Sequence, residues 1–268
     1  MRRAYLYLLV VIIILAVAAG LVLSNAFGGK GTVSLTSLIA YDNKPVPAAF
    51  ISLLQVPNNI GNAVGIGVAN NYVTPISGVN SIQLNGKPEV LYIGAEFCPY
   101  CAAERWAMAI ALMKFGTFSN LHFMTSAASD TPASIPTFTF YNSTYSSSYI
   151  SFVSVEQTTN TRAPLQTLNS SEAYLFSKYN PGEGIPFILF ANRSYWISAN
   201  YDPQSVLYGR NWSYIASQLY NTSSVQSEAI IGTANLMTAQ ICAIDNNTPS
   251  SVCSQPYVQS IEASTKLG

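Results

Sequence analysis

The sequence predicts an α/β protein with a β-rich insertion and C-terminal helices, preceded by one N-terminal transmembrane helix. Three observations lead to this prediction. An uncharged apolar stretch occupies residues 4–23, an apolar strand pattern runs directly into a helical pattern near residue 98, and strand and helical patterns alternate from there onward. The chain of 268 residues is long enough to bury a substantial core. We therefore expect a membrane anchor followed by one exported domain.

The apolar stretch is long enough to cross a bilayer as a helix. At ~1.5 Å per residue, residues 4–23 reach ~30 Å, which is the thickness of the hydrocarbon core. Arg2 and Arg3 precede the stretch, so the N-terminus should stay in the cytoplasm and the rest should be extracytoplasmic. A cleaved signal peptide is the alternative, although its apolar region usually has only ~7–15 residues. The predicted parts are a single-pass cell-membrane anchor (1–24), a tether (25–47) and an extracytoplasmic domain (48–268).

Composition limits the partners of the domain. The formal net charge is zero and only 9% of the residues are charged, so the chain offers no basic surface for nucleic acid. Ser, Thr, Asn and Tyr are frequent instead, and the density of Asn-x-Ser/Thr sequons predicts a glycoprotein. The sequons begin at Asn142, Asn169, Asn192, Asn211, Asn221 and Asn246.

Short apolar segments and turn signals mark the first elements of the domain. Residues 48–80 show no clear pattern, and we assign no elements there. The Asn-Gly pair at Asn85 is a hairpin-turn signal, and the apolar run VLYIGAEF that starts at Val90 is typical of a central strand. Residues 99–115 then follow helical spacing with few charges, which predicts a largely buried helix that ends at Gly116.

The rest of the chain alternates between strand and helix patterns. The run LHFMTSA from Leu121 is predicted to pair in parallel with the first strand, because it follows at βαβ spacing. Aromatic β-like runs come next, and then a helix that is stopped by Pro181. A strand–turn–strand unit, GIPFILFANRSYWISAN, and further helices complete the predicted α/β core.

The motif CPYC, residues 98–101, lies where the strand ends and the helix begins. Cys98 is placed at the N-cap and Pro99 in the first turn, where a missing N–H costs nothing. The unpaired backbone donors and the helix dipole stabilise a thiolate, so we expect Cys98 to be an accessible nucleophile with a lowered pKa. Cys101, one turn further in, is expected to be the deeper, resolving thiol.

The strand, the motif AEFCPYC and the long helix together resemble the thioredoxin superfamily, and the CPYC tetrapeptide resembles that of glutaredoxins. The resemblance implies a thioredoxin-like fold with a cis-proline beside the cysteines. Ile135-Pro136 and Ile185-Pro186 are the two candidates, and we favour the second because a hairpin and C-terminal helices follow it. That choice implies an insertion at about 127–175. The implied substrate groove consists of Pro99, Tyr100, Ile185 and Pro186.

More specifically, the chain resembles an uncharacterised archaeal family of membrane-anchored thioredoxin-like proteins, a domain of unknown function. The resemblance rests on LYIGAEFCPYCAAERW, IPTFTFY, SYISFVSVE and the late cysteine pair, and it covers most of the exported domain. It implies a redox-active disulfide, Cys98 and Cys101, in an extracytoplasmic thiol–disulfide oxidoreductase. The expected activity is that of an oxidase or isomerase, and the expected partners are thiols or disulfides of exported proteins. No cofactor is needed, and a membrane redox partner is a candidate.

The sequence departs from the superfamily where a buried acid is expected on the strand before the motif, because Tyr92 stands there. Glu104 and Glu96 are the nearest substitutes for proton transfer to and from Cys101. Glu104 lies one turn beyond Cys101 on the same helix face and is the candidate proton relay. The favoured alternative is a surface Glu104 that pairs with Arg105 or with a neighbour.

Cys242 and Cys253 form the second cysteine pair. An exported chain with an even number of cysteines favours a structural disulfide here. A closed loop of this size would stabilise the fold by ~2–3 kcal/mol. A relay that passes electrons to or from the first pair is the alternative.

Other interpretations of these residues are a metal site and a binding module. Zinc requires a second close cysteine pair or nearby histidines, and copper handling requires a wider cysteine spacing and a distal histidine. His122 is the only histidine, so we expect it to be structural or exposed, and we expect no metal. A non-catalytic binding module at the cell surface is the main alternative to the enzyme, and unreactive thiols would distinguish it. Its surface would be aromatic: Tyr141, Tyr145, Tyr149 and Phe152.

Overall fold

The computed structural model describes residues 35–265. The predicted transmembrane segment, residues 4–23, and the first part of the predicted tether lie outside the described residues. Among the helices of the described part, none is both long enough and apolar enough to cross a membrane. The described chain is a mixed α/β structure in which helices cover both faces of a central sheet.

Strands and helices are interspersed along the described chain. The strands are β1 (Thr74–Pro75), β2 (Gln83–Leu84), β3 (Lys87–Gly94), β4 (Gly116–Ser119), β5 (His122–Thr125), β6 (Pro136–Thr139), β7 (Thr144–Ser147), β8 (Ser151–Glu156), β9 (Phe187–Phe190) and β10 (Ser194–Ile197). The helices are α1 (Leu35–Ile39), α2 (Ala48–Leu54), α3 (Asn58–Val64), α4 (Pro99–Leu112), α5 (Ser170–Tyr179), α6 (Pro203–Val206), α7 (Trp212–Gln218), α8 (Gly232–Ile244), α9 (Ser250–Cys253) and α10 (Pro256–Thr265). A π-helical turn, Ser227–Ile231, leads into α8.

The central sheet is built around β3. This strand pairs in parallel with β8 and antiparallel with β9, and β10 and β1 extend the sheet beyond β9. β2 forms the predicted hairpin with the start of β3. Asn85 and Gly86 in its turn have φ angles of 54° and 74°, as a two-residue hairpin turn requires. The sheet is therefore mixed, with parallel and antiparallel neighbours on β3.

Both faces of β3 are buried, which explains its almost unbroken apolar sequence. Successive side chains of a strand point to opposite faces. Val90 and Tyr92 accordingly pack in the larger core with α4 and α8, whereas Leu91 and Ile93 pack in a smaller core beneath α5. The end of β3 is thus fixed from both sides at the point where the cysteine motif begins.

Helix α4 runs through the larger core. It has a proline in its first turn, no glycine and several alanines, all of which favour a helix. Each of its residues except Tyr100 is buried, which confirms the predicted buried helix. The helix ends at Leu112, a few residues before the predicted end. Its burial holds the N-terminus of the helix, and the motif there, in a fixed position.

The predicted parallel partner of the first strand is wrong. β5, which contains most of the run from Leu121, pairs antiparallel with β6 in a separate two-stranded sheet, and β4 pairs with β7 in another. β8 takes the parallel position because residues 116–147 form these two small sheets before the chain returns to β3. The predicted insertion, about 127–175, contains β8 and is therefore not separate from the central sheet.

Part of the predicted tether packs on the domain. Leu38 in α1 is buried, and Asp42 accepts hydrogen bonds from the backbone N–H and the hydroxyl of Thr125 at 2.7 and 2.9 Å. Burial raises the pKa of Asp42 to about 6, although these hydrogen bonds oppose the rise. The folded chain therefore begins before the predicted residue 48, because this segment buries apolar and polar groups against β5.

The C-terminal helices are present as predicted, and a disulfide joins them. Cys242 near the end of α8 is bonded to Cys253 in α9, with Cα atoms 5.5 Å apart. Both cysteines are buried. The bond closes the loop that carries the chain from α8 to α9, which is a structural position.

The aromatic residues predicted as a binding surface pack inward. The rings of Tyr145 and Phe152 contact Phe118 with centroids 5.0 and 5.9 Å apart, and Phe152 also contacts Phe140 at 5.2 Å. Tyr149 is half-buried against the same core, and Tyr141 is half-buried as well. Core packing, rather than a free binding face, accounts for most of these side chains.

The sequons fall into two groups. Four of the asparagines are exposed, namely Asn142, Asn169, Asn221 and Asn246. Asn192 and Asn211 are 8% and 4% exposed, and the side chain of Asn192 hydrogen-bonds to Tyr179 and to the carbonyl oxygen of Asn80. A glycan on either buried asparagine would require the surrounding structure to open.

Candidate functional site

The two cysteines of the motif lie at the N-terminus of α4. Cys98 is the N-cap residue, with an extended backbone (φ −75°, ψ 123°), and its Sγ accepts a hydrogen bond from the backbone N–H of Cys101 at 3.2 Å. Pro99 occupies the first turn. The sulfur of Cys98 thereby uses a backbone donor that would otherwise have no partner in the helix. Both cysteines are free thiols in the structure.

The surroundings separate the two thiols electrostatically. The pKa of Cys98 is lowered, mainly by a hydrogen bond from the thiol of Cys101 and further by backbone N–H groups and the charge of Arg105, against the opposing effect of burial. The pKa of Cys101 is raised well above its ordinary value, chiefly by burial and then by its interactions with Cys98. Cys98 is therefore the sulfur that ionises first.

Cys98 is less accessible than the sequence predicted. It is 5% exposed and Cys101 is 0% exposed, so the order of depth is the predicted one although the outer sulfur is largely enclosed. The carbonyl oxygen of Ile185 lies 3.9 Å from the Sγ of Cys98. The Ile185 backbone therefore covers the sulfur of Cys98 on one side. Tyr100, which lies between the two cysteines in the motif, is 41% exposed.

The residues predicted to form a groove are brought together in part. The Ile185-Pro186 peptide bond is cis, and Ile185 lies beside Cys98, with its side chain half-buried and Pro186 buried. The other candidate, Pro136, starts β6 in a separate sheet, and its peptide bond is not cis. Of the two Ile-Pro steps, the structure places Ile185-Pro186 at the cysteine pair.

Sequence reasoning missed the side chains beside the motif on its N-terminal side. The guanidinium of Arg162 stacks on the ring of Phe97 at 3.9 Å from the centroid and forms a 2.7 Å ion pair with Asp130. The backbone N–H of Ala127 also donates to the carbonyl oxygen of Phe97. The segments that contain Arg162 and Ala127 thus both contact Phe97, the residue that precedes Cys98. The aromatic side chain of Phe97 was the one sequence signal for these contacts.

Glu104 is buried, which makes the predicted surface position wrong. Its side chain is 0% exposed, and its carboxylate accepts hydrogen bonds from the indole N–H of Trp196 at 3.0 Å and from the backbone and side-chain N–H groups of Asn200, both at 3.1 Å. Arg105 pairs with Glu156 instead. The hydrogen bonds of Glu104 lead towards β10 and the segment after it, and none of these three bonds is made with Cys101.

Burial raises the pKa of Glu104 to about 7, although its three hydrogen bonds act in the opposite direction. Because the native state then binds more protons than the unfolded chain between about pH 4.5 and 7, stability should fall as the pH rises through this interval. The loss corresponds to up to about 3 kcal/mol. We expect urea unfolding of the full-length chain to show a lower free energy of unfolding at pH 8 than at pH 5.

The variant Glu104→Gln isolates this contribution. Asp42 and Asp245, whose pKa values are also raised by burial, to about 6 and about 7, titrate in the same direction and remain in the variant. The difference in pH dependence between wild type and variant therefore belongs to Glu104. An equal pH dependence in both proteins would show that this carboxyl is already ionised at pH 5.

A buried ion pair joins the middle of α4 to the end of β8, and sequence reasoning missed it. The Nε of Arg105 donates to Glu156 Oε1 at 2.8 Å and to the hydroxyl of Tyr92 at 3.1 Å, and its Nη2 donates to Glu156 Oε2 at 3.0 Å. We call Arg105, Glu156 and Tyr92 the Arg105 cluster. All three side chains are 0% exposed. The cluster joins α4, the end of β8 and β3.

The Arg105 cluster also explains the glycine at position 94. A Cβ atom on Gly94 would lie 2.1 Å from the hydroxyl of Tyr92, whose ring is enclosed in the larger core. The absence of a side chain at residue 94 therefore lets Tyr92 reach Arg105. The acid on β8 gave a weak sequence signal, because Glu156 ends an otherwise uncharged strand pattern.

The remaining candidates lie outside this cluster. Glu96 is buried and accepts a hydrogen bond from the hydroxyl of Thr139 at 2.6 Å. Its negative charge contributes to the raised pKa of Glu156. His122 is half-buried at the start of β5, and its Nδ1 lies 2.9 Å from the carbonyl oxygen of Asn120. Within residues 35–265, no group of three or more His, Cys, Asp or Glu side chains is arranged to hold a metal ion.

Together these features define a mixed α/β protein with a buried dithiol at a helix N-terminus, supported by a buried arginine–glutamate pair. The chain belongs to the family described as "Domain of unknown function (DUF929)", whose model matches residues 76–243. The match contains the dithiol, the Arg105 cluster and Pro186, as well as Cys242 but not Cys253. No curated protein and no solved structure matches the chain.

Proposed function

We propose that the protein is an extracytoplasmic thiol–disulfide oxidoreductase of the thioredoxin superfamily, an oxidase or isomerase of exported proteins held at the cell membrane by its N-terminal segment. The observation that carries the proposal is the state of Cys98. Its sulfur caps a helix, accepts the Cys101 N–H at 3.2 Å and has a lowered pKa. A thiolate stabilised in this way is the nucleophile of disulfide exchange.

The order of elements around the cysteines supports the thioredoxin-like assignment. A central strand leads into the helix that carries both cysteines, and the chain returns to that strand in parallel through β8. β9 then pairs antiparallel on the other side, directly after the Ile185-Pro186 step that lies beside Cys98. Of these features, the resemblance to the superfamily implies the strand-to-helix turn that carries the motif and the proline step, followed by a hairpin, beside the cysteines.

Substrate oxidation would proceed in two exchange steps. A substrate thiolate attacks Cys98 of the oxidised pair, a bond forms between these sulfurs, and the Cys98–Cys101 bond breaks, so that Cys101 leaves as a thiolate and takes up a proton. A second substrate thiol, after losing its proton, attacks the first substrate sulfur and releases Cys98 as the thiolate. The substrate leaves as a disulfide and the pair is reduced. A membrane partner that supplies a disulfide would restore the oxidised pair, whereas isomerisation needs no net oxidant.

The test is the rate of exchange between the reduced full-length chain and oxidised glutathione. We expect the wild type to form glutathione mixed disulfide and oxidised pair faster than Cys98→Ser, whose rate should fall to that of the uncatalysed reaction. The equilibrium with glutathione gives the reduction potential, which decides between oxidase and reductase. The variant Cys242→Ser/Cys253→Ser is the matched control, because it removes two sulfurs away from the motif and should keep the wild-type rate.

A non-catalytic binding module is the second candidate, and the low exposure of Cys98 favours it. The same experiment separates the two functions. If the wild type exchanges no faster than Cys98→Ser, the enzyme proposal is wrong and the pair has a structural role.

A further inference from the structure

The guanidinium of Arg105 lies directly beneath the turn that holds the two thiols. Its Nη2 donates to the carbonyl oxygen of Ala95 at 2.6 Å, and the same carbonyl oxygen accepts the backbone N–H of Cys98 at 3.3 Å. Arg105 also lies four residues after Cys101, which places both on one face of α4. Two independent links, one through the backbone and one along the helix, thus bring the positive charge to the cysteine pair.

Glu156 fixes the guanidinium but does not use all of its donors. The carboxylate binds Nε and Nη2 in a two-point arrangement, and Tyr92 shares Nε. The remaining nitrogen, Nη1, is buried and has no hydrogen-bond partner among the residues that the structure describes. A buried N–H group without an acceptor is uncommon in native proteins and calls for an explanation. The guanidinium thus keeps one donor that Glu156, Tyr92 and the carbonyl oxygen of Ala95 do not occupy.

The charges around the pair show which acceptor would fit. With Glu156 ionised, its negative charge balances the positive charge of Arg105, and the Arg105 cluster is neutral. Two protonated cysteines add no charge to this region. Cys101 has no exposure, and burial raises its pKa, whereas the charge of Arg105 lowers the pKa of both thiols. A thiolate on either sulfur is therefore an anion that this positive charge would stabilise. Arg105 is the cation among the leading causes of the Cys101 pKa shift.

We propose that Arg105 is a positioning residue of the thiol pair, whose buried positive charge stabilises the negative charge that forms on the sulfurs of Cys101 and Cys98 during thiol–disulfide exchange. The inference rests on the proposed function. In the resolving step the Cys101 S–H bond breaks, a Cys101–Cys98 sulfur bond forms, and the bond from Cys98 to the bound sulfur breaks. The proton of Cys101 ends on the departing thiolate, so the step needs no further reactant. Glu156 holds the guanidinium in place and limits its effect, because its own negative charge opposes that of Arg105.

The alternative role of the cluster is structural, since it ties α4 to β8. The two roles predict different signs in two variants. Glu156→Gln leaves the cation without its anion, whereas Arg105→Met/Glu156→Gln removes both charges. An electrostatic role shifts the ionisation of Cys98 in opposite directions in these variants, whereas a packing defect disturbs both in the same way.

The experiment measures the pH dependence of iodoacetamide alkylation of Cys98 in the reduced full-length chain. We expect the pKa of Cys98 to fall in Glu156→Gln and to rise in Arg105→Met/Glu156→Gln, each by about tenfold in the ionisation constant. The equilibrium constant with glutathione should change by a similar factor, or about 30 mV, towards an oxidising pair in the first variant and a reducing pair in the second. Arg193→Met removes an exposed positive charge on the turn before β10 and should leave both values unchanged.

The inference is overturned if the ionisation constant of Cys98 in both variants stays within twofold of wild type, or if both variants shift it in the same direction. Arg105→Lys keeps the charge without the fork and provides a result should the double variant fail to fold. The ionisation constant of Cys98 in this variant should lie within about threefold of wild type, and a tenfold fall in it would contradict an effect of charge. Alkylation requires no turnover, so these results stand apart from the exchange test, whose failure would reject the enzyme and leave the electrostatic link measurable.

Discussion

Replacing Glu156 with methionine is expected to lower the free energy of unfolding by about 3–5 kcal/mol. The carboxylate holds Arg105 at 2.8 and 3.0 Å in a site where both side chains are completely buried. Arginine keeps its charge at any accessible pH, so the variant leaves a buried cation without its partner. Urea unfolding of the full-length chain at pH 7 measures the loss.

Two further variants show whether the unpaired charge causes the loss. Arg105→Met should cost less than Glu156→Met, because burial already raises the pKa of Glu156 and the abandoned carboxylate can take up a proton. Arg105→Met/Glu156→Met should recover most of the stability, since a buried pair and apolar residues of similar volume are often nearly equivalent. A loss below about 1 kcal/mol in Glu156→Met would mean that the site admits water or another partner for Arg105.

Cys101→Ser is expected to convert a transient mixed disulfide into a stable product. If Cys98 is attacked first and Cys101 resolves, the variant should retain glutathione on Cys98 after reaction with oxidised glutathione, whereas the wild type should proceed to the internal disulfide. The expected change is from a trace of adduct to most of the protein. Intact mass spectrometry of the full-length chain measures the adduct, and peptide mapping locates it.

The reverse variant is the matched control for that result. Cys98→Ser keeps Cys101, which is 0% exposed and has a raised pKa, so it should acquire little glutathione. Equal labelling of the two variants would contradict the assigned order of attack. It would indicate that the helix N-terminus opens enough for solvent to reach both sulfurs.

Local patterns predicted the strand–helix unit well, and long-range pairing limited the rest. The strand from Val90, the N-cap position of Cys98 and the buried helix all follow from neighbouring residues, and the structure has them. The parallel partner of the strand does not follow, because any later apolar run could take that place. The run from Leu121 does not pair with β3, and β8 takes that position. The run pairs with β6 instead, because the loop between β5 and β6 is shorter than the segment between β3 and β5.

The buried acids show the same limit in the candidate site. Charge alone suggested that Glu104 lies on the surface and pairs with its neighbour Arg105, since most glutamates do. In the structure, Glu104 is buried against Trp196 and Asn200. Arg105 pairs with Glu156, and these two residues are 51 positions apart in the sequence. A single sequence contains no signal for a pair at that distance, because both residues are ordinary for the elements that carry them.

Gly94 restricts which sequences can build this site. Because Gly94 has no Cβ, the Tyr92 hydroxyl can lie beside Arg105. The buried ring of Tyr92 could not move to make room for a side chain at residue 94. Positions 92 and 94 are therefore not independent in evolution or in protein engineering. A relative with a larger residue at 94 must have a shorter one at 92, and its arginine would then lose one of its oxygen acceptors.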